Sequence, residues 1–263
     1  MSAPRRWLPG VLALALLAAA GLAGVVCARQ PEPPREQTIA AYASSLAGRS
    51  AGQVANALRA ARALDGSVVP AGGEFSFNRR VGPWTADRGY RRAPVSYDGE
   101  LTLAAGGGVC QLSTTLYGGA LVGGMEIVER HRHFWPASYA RPGLDAAVAF
   151  PGIDLRFRNP LPAPVRLRAR RNGDQLIVEL RSTARGEPCS IETEKTAVHP
   201  PAAIVRVDDR LRPGQVVRSN HGQPGCDVAV YRLRRSAAGE VERTLISVDS
   251  YPTLNTILKV PAQ

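Results

Sequence analysis

The sequence predicts an α+β fold, in which a mixed or antiparallel sheet packs against helices. Apolar residues recur three or four positions apart in two stretches, whereas apolar and polar residues alternate after residue 153. Hydrophobic residues make up 44% of the 263 residues and charged residues 21%, a composition typical of a folded globular protein. The predicted order is an N-terminal membrane segment (1–28), a linker (29–38), an α+β domain (39–183) and a β-rich C-terminal segment (184–263).

The N-terminal segment combines a positive flank with a long uncharged run. Arg5 and Arg6 precede residues 7–26, which carry no charge. This length suits a helix that crosses a bilayer with its arginines on the cytoplasmic side. Alternatively, the segment is a secretory signal peptide that is cleaved after Ala28. Both interpretations place the remainder of the chain outside the cytoplasm, either anchored to the membrane or secreted.

The charge of the chain indicates the kind of partner it meets. The formal net charge is +11 at pH 7, so the surface favours polyanionic surroundings. For an exported protein these are anionic lipids or an anionic wall polymer. Nucleic acid is not expected as a partner, because basic and aromatic residues are not interleaved as base-stacking modules require. Residues 29–38 are rich in proline and charge, which is typical of a linker.

The first predicted helix covers residues 39–64. Its apolar residues fall on one face, and Asp65–Gly66 marks its end. Residues 68–78 then alternate as a strand, which would place Phe75 and Phe77 on the same side.

The stretch GGGVCQLSTTLY, residues 106–117, predicts a glycine turn that leads into a second helix. Cys110 would lie at the N-terminus of this helix. Further glycines at positions 118, 119, 123 and 124 weaken the helix but permit close packing against a sheet. Residues 125–131 return to the pattern of a strand.

Residues 153–183 predict a β-hairpin with its turn at Asn172–Gly173. Arginines recur at every second position along its strands, at Arg156 and Arg158 and at Arg166, Arg168 and Arg170. One interpretation is a basic face that grips an anionic polymer. The other is the ordinary solvated face of an antiparallel sheet. Another hairpin is predicted within residues 184–263.

The four cysteines differ in their surroundings. Cys27 lies in the N-terminal apolar segment. Cys189 and Cys226 are candidates for a disulfide within the C-terminal segment, since an oxidising compartment permits one. Cys110 is then left over, and two interpretations stay open: a reactive thiol or an inert, buried residue.

The residues around Cys110 favour a chemical role for it. Free N–H groups and the dipole at a helix N-terminus stabilise a thiolate. Gly107 and Gly108 allow a sharp turn and a close approach of substrate to the backbone. The backbone amides of Cys110 and Gln111 are candidate donors to a developing oxyanion. No lysine follows the glycines, which excludes a phosphate-binding loop of the Walker type.

A nucleophilic thiol requires a base, and the downstream sequence contains candidates. His133 as the base and Asp145 as its orienting carboxylate would complete the set needed for acyl transfer by Cys110. His131 and Asp154 are the alternates. No short ligand spacing supports a zinc site, so no metal and no cofactor is predicted.

Three stretches of the chain together closely resemble the VanW family: GGEFSFNRRVGPWTADRGYRRAPV, GGGVCQLSTTLYGGALVGGMEIVERHRH and GLDAAVAFPGIDLRFRNPLPAPVRLRA. The resemblance runs from about Gln53 to about Ala169. It implies an exported or membrane-anchored protein of the bacterial envelope, from a family named for an accessory gene of vancomycin-resistance clusters. The C-terminal segment has a faint likeness to wall-binding modules of the G5 type.

The resemblance also marks individual residues of the family motif. It carries over Phe75, Phe77, Asn78, Gly82, Gly89, Tyr90, Gly106, Gly107, Gly108, Cys110, Gln111, Ser113, Thr114, Thr115, Tyr117, Glu129, His131, His133, Tyr139, Asp145 and Asp154. The chain departs from the family pattern at Phe134, where relatives usually have serine, and at Leu144, where arginine is common.

Two functions of different classes follow from the sequence. The first is a cysteine-dependent acyl-transfer enzyme, a peptidase or transpeptidase that acts on cell-wall peptide through Cys110, His133 and Asp145. The second is a non-catalytic wall-binding or scaffolding module, which holds an anionic polymer on its arginine faces while Cys110 is merely packed.

Overall fold

The computed structural model describes residues 35–97 and 100–262, which form fifteen strands and three helices. The α+β class is confirmed, with sheets that are almost entirely antiparallel. The predicted membrane segment and most of the predicted linker lie outside the described residues. Within the described residues, no helix is both long enough and apolar enough to cross a membrane.

The elements follow one another in chain order. The helices are α1 (Ala51–Leu64), α2 (Phe77–Val81) and α3 (Val109–Val122). The first nine strands are β1 (Gln37–Ser45), β2 (Val68–Val69), β3 (Glu74–Ser76), β4 (Arg92–Tyr97), β5 (Glu100–Ala105), β6 (Glu126–Glu129), β7 (Arg156–Arg158), β8 (Val165–Asn172) and β9 (Gln175–Ser182). The C-terminal strands are β10 (Cys189–His199), β11 (Ala203–Val207), β12 (Val217–Arg218), β13 (Gly225–Arg235), β14 (Val241–Tyr251) and β15 (Thr256–Val260).

The strands form five small sheets. The largest has the order β1-β9-β8-β2, and a second sheet pairs β3 and β6 with β7. In the C-terminal segment, β13 lies between β10 and β14, and β15 lies between β11 and β12. Strands β4 and β5 form a two-stranded ribbon. The main core lies where α1 and α3 pack against the four-stranded sheet.

The predicted helix over residues 39–64 is correct only in its second half. Residues Gln37–Ser45 form strand β1, which pairs with β9. Helix α1 starts after Ser50, whose hydroxyl accepts the Gln53 N–H while the Gln53 side chain accepts the Ser50 N–H. This capping box marks the true start of the helix. The helix ends at Asp65–Gly66 as predicted.

The strand predicted over residues 68–78 is also wrong in part. It consists of two short strands, β2 and β3, followed by helix α2. The Ser76 hydroxyl accepts the Arg79 N–H at 3.1 Å and caps this helix. Phe75 therefore lies in a strand and stacks on Phe157, whereas Phe77 opens a helix.

Helix α3 is buried along almost its whole length, and its glycines allow it to approach the sheet closely. A Cβ atom on Gly118 would lie 2.5 Å from the ring of Tyr42 on β1. Such a contact is shorter than van der Waals distance, so a larger residue at this position would push the helix away from the sheet. The predicted reason for these glycines is confirmed at this position.

The arginines of the predicted hairpin are paired with carboxylates. Strands β8 and β9 form the hairpin, and Asn172 pairs with Gln175, so the turn is Gly173–Asp174 rather than Asn172–Gly173. The ion pairs are Arg156 with Glu74 and Glu129, Arg158 with Glu126, Arg166 with Glu36, Arg168 with Asp65 and Arg170 with Glu179. This pairing favours the ordinary solvated face over a surface that grips polyanions.

The predicted disulfide between Cys189 and Cys226 is wrong. Both thiols are free. In the antiparallel pair of β10 and β13, Cys189 lies opposite Arg234 and Cys226 lies opposite Val198, at the two ends of the ladder. The two cysteines are separated by roughly 25 Å of strand, and a disulfide requires Cα atoms within about 7 Å.

Candidate functional site

Cys110 lies in the first turn of α3, directly after a glycine turn. Gly108 adopts φ 107°, in the left-handed region, and a Cβ atom on it would overlap the carbonyl oxygen of Gln53. Only glycine satisfies both constraints. The Gly107 carbonyl accepts the Asn56 side-chain amide at 2.9 Å, which joins the turn to α1. The glycines therefore fix the position of Cys110 relative to α1.

His133 and Asp145 lie on the segment that follows β6, and they contact each other twice. The Asp145 Oδ2 atom is 2.7 Å from His133 Nδ1 and accepts the His133 backbone N–H at 2.6 Å. Only 1% of the Asp145 side chain is exposed. Asp145 therefore holds the ring by Nδ1 and leaves Nε2 free to face other groups.

The structure brings Cys110 to this pair. The thiol is partly buried and lies 3.4 Å from the Val148 carbonyl oxygen. Cys110 lines the same cavity as His133, whose ring is close enough to lower the pKa of the thiol. The Tyr139 hydroxyl is 3.4 Å from His133 Nε2. The residues predicted as nucleophile, base and orienting carboxylate are thus linked in that order.

The electrostatics of this set lower the pKa of the thiol and raise the pKa of the imidazole. Burial raises the pKa of the Cys110 thiol, but the hydrogen bond and positive charge of His133 outweigh burial and bring that pKa below its ordinary value. Burial lowers the pKa of His133, whereas its hydrogen bonds to Asp145 and Cys110 raise it to about 9. Burial raises the pKa of Asp145, but the contacts with His133 and Arg130 have the larger effect, so this pKa lies below its ordinary value.

Cys110 and His133 open into a cavity of about 430 Å³. Its wall is formed by the 134–139 segment, by the start of α1 and by β4. Phe134 and Trp135 contact each other edge to face, with ring centroids 5.0 Å apart. The cavity is thus partly aromatic and has the size of a small-molecule or peptide subsite.

Two polar groups of the cavity have unused hydrogen-bonding capacity. The Nε1 atom of Trp135 and the Nε atom of Arg49 are buried and have no partner among the described residues. The Arg49 guanidinium lies 5.0 Å from the centroid of the Tyr139 ring and has no carboxylate within 4.0 Å in the described part of the chain. Sequence reasoning missed Arg49, which precedes α1 in a segment with no recognisable motif.

Gln111 has a structural role in addition to its predicted one. Its backbone N–H donates to the Gly108 carbonyl at 3.2 Å. Its side-chain amide donates to the Ser45 carbonyl at 2.7 Å and so joins α3 to β1. Because the backbone N–H of Gln111 already donates to Gly108, the backbone N–H of Cys110 is the better candidate donor to an oxyanion.

The alternates His131 and Asp154 lie elsewhere, and neither lines the cavity. His131 is exposed and contacts Glu129 at 3.0 Å. The Asp154 carboxylate accepts the Asn78 N–H and the Ser76 hydroxyl, which fixes the start of α2. Strand β6 ends at Glu129, before His131 and His133, so the two histidines do not share a strand.

Three further residues surround Asp145, and sequence reasoning did not single them out. They are Arg130, Asp249 and Tyr251, of which the last two belong to β14. Their separation from Asp145 along the chain leaves no local signal for their role. No group of three or more metal-ligating side chains with suitable geometry occurs within residues 35–97 and 100–262.

The chain is similar to known proteins over part of its length. The family described as "VanW like protein" matches residues 52–181. The uncharacterized protein YoaR of Bacillus subtilis is 42% identical over 123 residues, 47% of this chain and 41% of YoaR. The vancomycin B-type resistance protein VanW of Enterococcus faecalis is 34% identical over 112 residues, 41% of each chain. The chain spans about two fifths of the length of both relatives.

Two solved G5 domains have a weak likeness to the chain. The G5 domain of IgA1 protease shares 20% identity at a TM-score of 0.23 and covers 28% of this chain and 88% of its own. HP0197-G5 shares 25% identity at a TM-score of 0.17 and covers 27% and 95%. Scores this low support no inference about the fold or the binding properties of the C-terminal segment.

Proposed function

The chain belongs to the VanW family through residues 52–181, and from this premise we propose that it is a cysteine-dependent acyl-transfer enzyme of the bacterial envelope. Its proposed substrate is a peptide of the cell wall. The reaction is either hydrolysis of a peptide bond, as in a peptidase, or transfer of the acyl group to an amine, as in a transpeptidase.

The observation that carries the proposal is that Cys110 and His133 line one cavity while the buried Asp145 carboxylate holds the His133 ring at Nδ1. A structural cysteine needs neither a depressed pKa nor a histidine that is fixed by a buried carboxylate. Both features activate a nucleophilic thiol. Position at a helix N-terminus adds to the stabilisation of the thiolate.

In the first half of the reaction, the Cys110 thiolate attacks the carbonyl carbon of the substrate and forms a C–S bond. The carbonyl oxygen becomes an oxyanion, which the Cys110 amide is placed to stabilise. His133 Nε2 then gives its proton to the leaving nitrogen as the C–N bond breaks. The products are a free amine and a thioester on Cys110.

In the second half, water or an acceptor amine attacks the thioester, and His133 Nε2 takes the proton from this nucleophile. The C–S bond breaks, and Cys110 leaves as a thiolate. Throughout the cycle Asp145 keeps the proton on His133 Nδ1 and so holds the ring in one orientation. The cycle restores the thiolate and the imidazolium.

The cavity supplies the groups that would recognise the substrate. Arg49 offers a cation without a carboxylate partner in the described residues, and Trp135 is part of the cavity wall. The exposed ring of Phe134 offers an apolar wall. Together these groups fit a peptide that carries a carboxylate near the bond that is cleaved.

Substrate of this kind is found outside the cytoplasm, and we place the protein there as part of the proposal. Residues 1–28 have the pattern of an export signal or membrane anchor. The net charge of +11 fits an anionic wall or membrane surface.

The proposal is tested by incubating the full chain with purified wall peptides and following the release of fragments by mass spectrometry. The wild-type protein is expected to release amine fragments, and Cys110→Ser is expected to lose this activity. Cys189→Ser is the matched control, because Cys189 is a free thiol far from the cavity. Equal release by wild type and Cys110→Ser would overturn the proposal.

The second candidate is a non-catalytic wall-binding or scaffolding module. The observation that favours it is a group of arginines near Tyr90. The Arg59 guanidinium lies 6.0 Å from the centroid of the Tyr90 ring and donates to the Arg88 carbonyl at 2.9 Å, and Arg62 follows three residues later on α1. No carboxylate lies within 4.0 Å of these three guanidiniums in the described residues. Sedimentation with insoluble wall separates the candidates: a binding module keeps wall affinity in Cys110→Ser and loses it when Arg59 and Arg62 become serine.

A further inference from the structure

The carboxylate of Asp145 is held from two sides, and one side belongs to the C-terminal segment. On the first side, Oδ2 contacts His133. On the second side, Oδ1 accepts the hydroxyl of Tyr251, which is fully buried at the end of β14. The same hydroxyl accepts the Gly143 N–H at 2.8 Å. Tyr251 therefore fixes both the carboxylate and the backbone two residues before it.

Arg130 connects Asp145 to a second carboxylate of β14. Its Nη2 atom is 3.1 Å from Asp145 Oδ1, and its Nε atom donates to the Asp145 carbonyl at 2.6 Å. Its Nη1 atom is 2.5 Å from Asp249 Oδ1. The guanidinium is 6% exposed, so this bridge is shielded from solvent and little screened by salt.

Ser247, also on β14, orients the far side of this bridge. Its hydroxyl donates to Asp249 Oδ2 at 3.0 Å. If the buried Arg130 paired with Asp145 alone, some of its N–H donors would have no acceptor. Asp249 accepts from one of them and so avoids this energetic penalty. Strand β14 thus presents alternate residues, 247, 249 and 251, along one side toward the site.

We infer that Asp249 and Tyr251 are positioning residues for Asp145, so that the C-terminal segment, residues 184–263, completes a site whose nucleophile and base lie in the family-matched region. Neither residue lines the cavity or touches Cys110. They act through Asp145 on His133. The catalytic importance of these two residues rests on the proposed function. Their effect on Asp145 and His133 can be measured without any substrate.

The charges around Asp145 give each residue a distinct effect. The other titratable and charged groups that face this network are Arg130, Tyr117, Arg132, Tyr139, Arg49 and Cys110. If Asp249 loses its charge, Arg130 acts on Asp145 alone, and Asp145 stabilises the His133 imidazolium less. If Tyr251 loses its hydroxyl, Asp145 loses a donor and stabilises the imidazolium more.

The experiment measures the rate at which iodoacetamide alkylates Cys110 in the full chain between pH 5 and pH 10. Mass spectrometry of the peptide that contains Cys110 separates it from Cys189 and Cys226. The variants are Asp249→Asn and Tyr251→Phe, both close to isosteric. The control is Tyr231→Phe on the neighbouring strand β13, whose ring stacks on Arg243 rather than facing the site.

The inference predicts shifts of opposite sign. The pH of half-maximal alkylation is expected to rise by about 0.5 units or more in Asp249→Asn and to fall in Tyr251→Phe, with no change in Tyr231→Phe. A purely structural role would loosen the site in both variants and raise the midpoint in both. That result, or unchanged midpoints in both, would overturn the inference. If Asp249→Asn does not fold, the direction of the Tyr251→Phe shift decides alone.

These outcomes are distinct from failure of the proposed function. Alkylation requires only the Cys110 thiolate and reports its pKa in the absence of any substrate. If the midpoints shift as predicted and wall peptides are not cleaved, the positioning stands and the acyl-transfer proposal fails.

Discussion

Replacement of His133 by asparagine is expected to lower the reactivity of Cys110 at neutral pH. In the folded protein, burial raises the pKa of the thiol and His133 more than reverses this effect. Without the imidazole, burial and the charge of Asp145 still raise the pKa of the thiol, opposed by the hydrogen bond with Val148, so this pKa rises toward its ordinary value or above. Because the thiolate is the reacting form, its reaction then begins at a higher pH.

The size of the effect follows from the ionised fraction. A thiol at the ordinary pKa of about 8.5 is roughly 3% ionised at pH 7. The loss in thiolate concentration is therefore at most about 30-fold, the figure for a thiol that is fully ionised before the substitution. A thiolate of higher pKa is intrinsically more nucleophilic, with a Brønsted slope of about 0.4–0.5, which offsets roughly tenfold of this loss and leaves a net loss in rate of roughly threefold.

The assay is the rate of iodoacetamide alkylation of Cys110 as a function of pH, read from its peptide by mass spectrometry. His131→Asn is the matched control, since His131 is exposed and pairs with Glu129 away from the cavity. Wild type and His131→Asn are expected to react down to lower pH than His133→Asn. Identical profiles for all three proteins would refute the assignment of His133 as the partner of Cys110.

Three further predictions concern the turn, the cavity and the C-terminal contact. Gly108→Ala is expected to lower the free energy of unfolding by about 3 kcal/mol or more in urea titrations, whereas Gly173→Ala, with positive φ but open space, costs about 1 kcal/mol. Arg49→Gln is expected to raise KM for carboxylate-bearing wall peptides roughly tenfold or more, while the alkylation profile of Cys110 stays unchanged. Tyr251→Phe is expected to lower the free energy of unfolding by about 1–3 kcal/mol in urea titrations, because a buried N–H and a carboxylate oxygen lose a partner.

Each of these has an outcome that contradicts it. If both glycine variants lost the same free energy of unfolding, the overlap of a Cβ atom at position 108 with Gln53 would not be the cause of the destabilisation. An unchanged KM in Arg49→Gln would exclude a substrate carboxylate at that guanidinium. Unchanged stability in Tyr251→Phe would mean that solvent replaces the lost hydrogen bonds.

Local sequence was sufficient for the features that depend on neighbouring residues. The glycine turn before Cys110, the end of α1 at Asp65–Gly66 and the C-terminal hairpin of β13 and β14 all follow from turn and cap chemistry. Their physical causes act within a few residues, so a sequence pattern carries them. Cys110, His133 and Asp145 could also be named from the sequence, because residue type and family motif both selected them.

Features that depend on pairing across the chain could not be derived in this way. Residues 39–45 have no strong strand pattern and become β1 because β9 offers a partner more than 130 residues away. Cys189 and Cys226 share a segment, yet the register of β10 and β13 separates them.

The site has the same division between local and distant causes. The choice between Asp145 and Asp154 depended on which carboxylate folds back onto His133, and no spacing rule encodes this. The contact of Asp249 with Arg130 joins residues 119 positions apart, and that of Tyr251 with Asp145 joins residues 106 positions apart. Arg49 and Trp135 become neighbours of Cys110 only when α1 and the 134–139 segment meet at one cavity.

The most direct test of the account is the intact mass of the protein after brief incubation with wall peptide at a pH low enough to slow thioester hydrolysis. The wild type is expected to gain the mass of the acyl fragment, and hydroxylamine is expected to remove it. Cys110→Ala is expected to gain nothing, whereas Cys189→Ala gains the same mass as the wild type. An unmodified wild type under conditions where fragments are released, or an adduct that persists in Cys110→Ala, would contradict the assignment of Cys110 as the nucleophile.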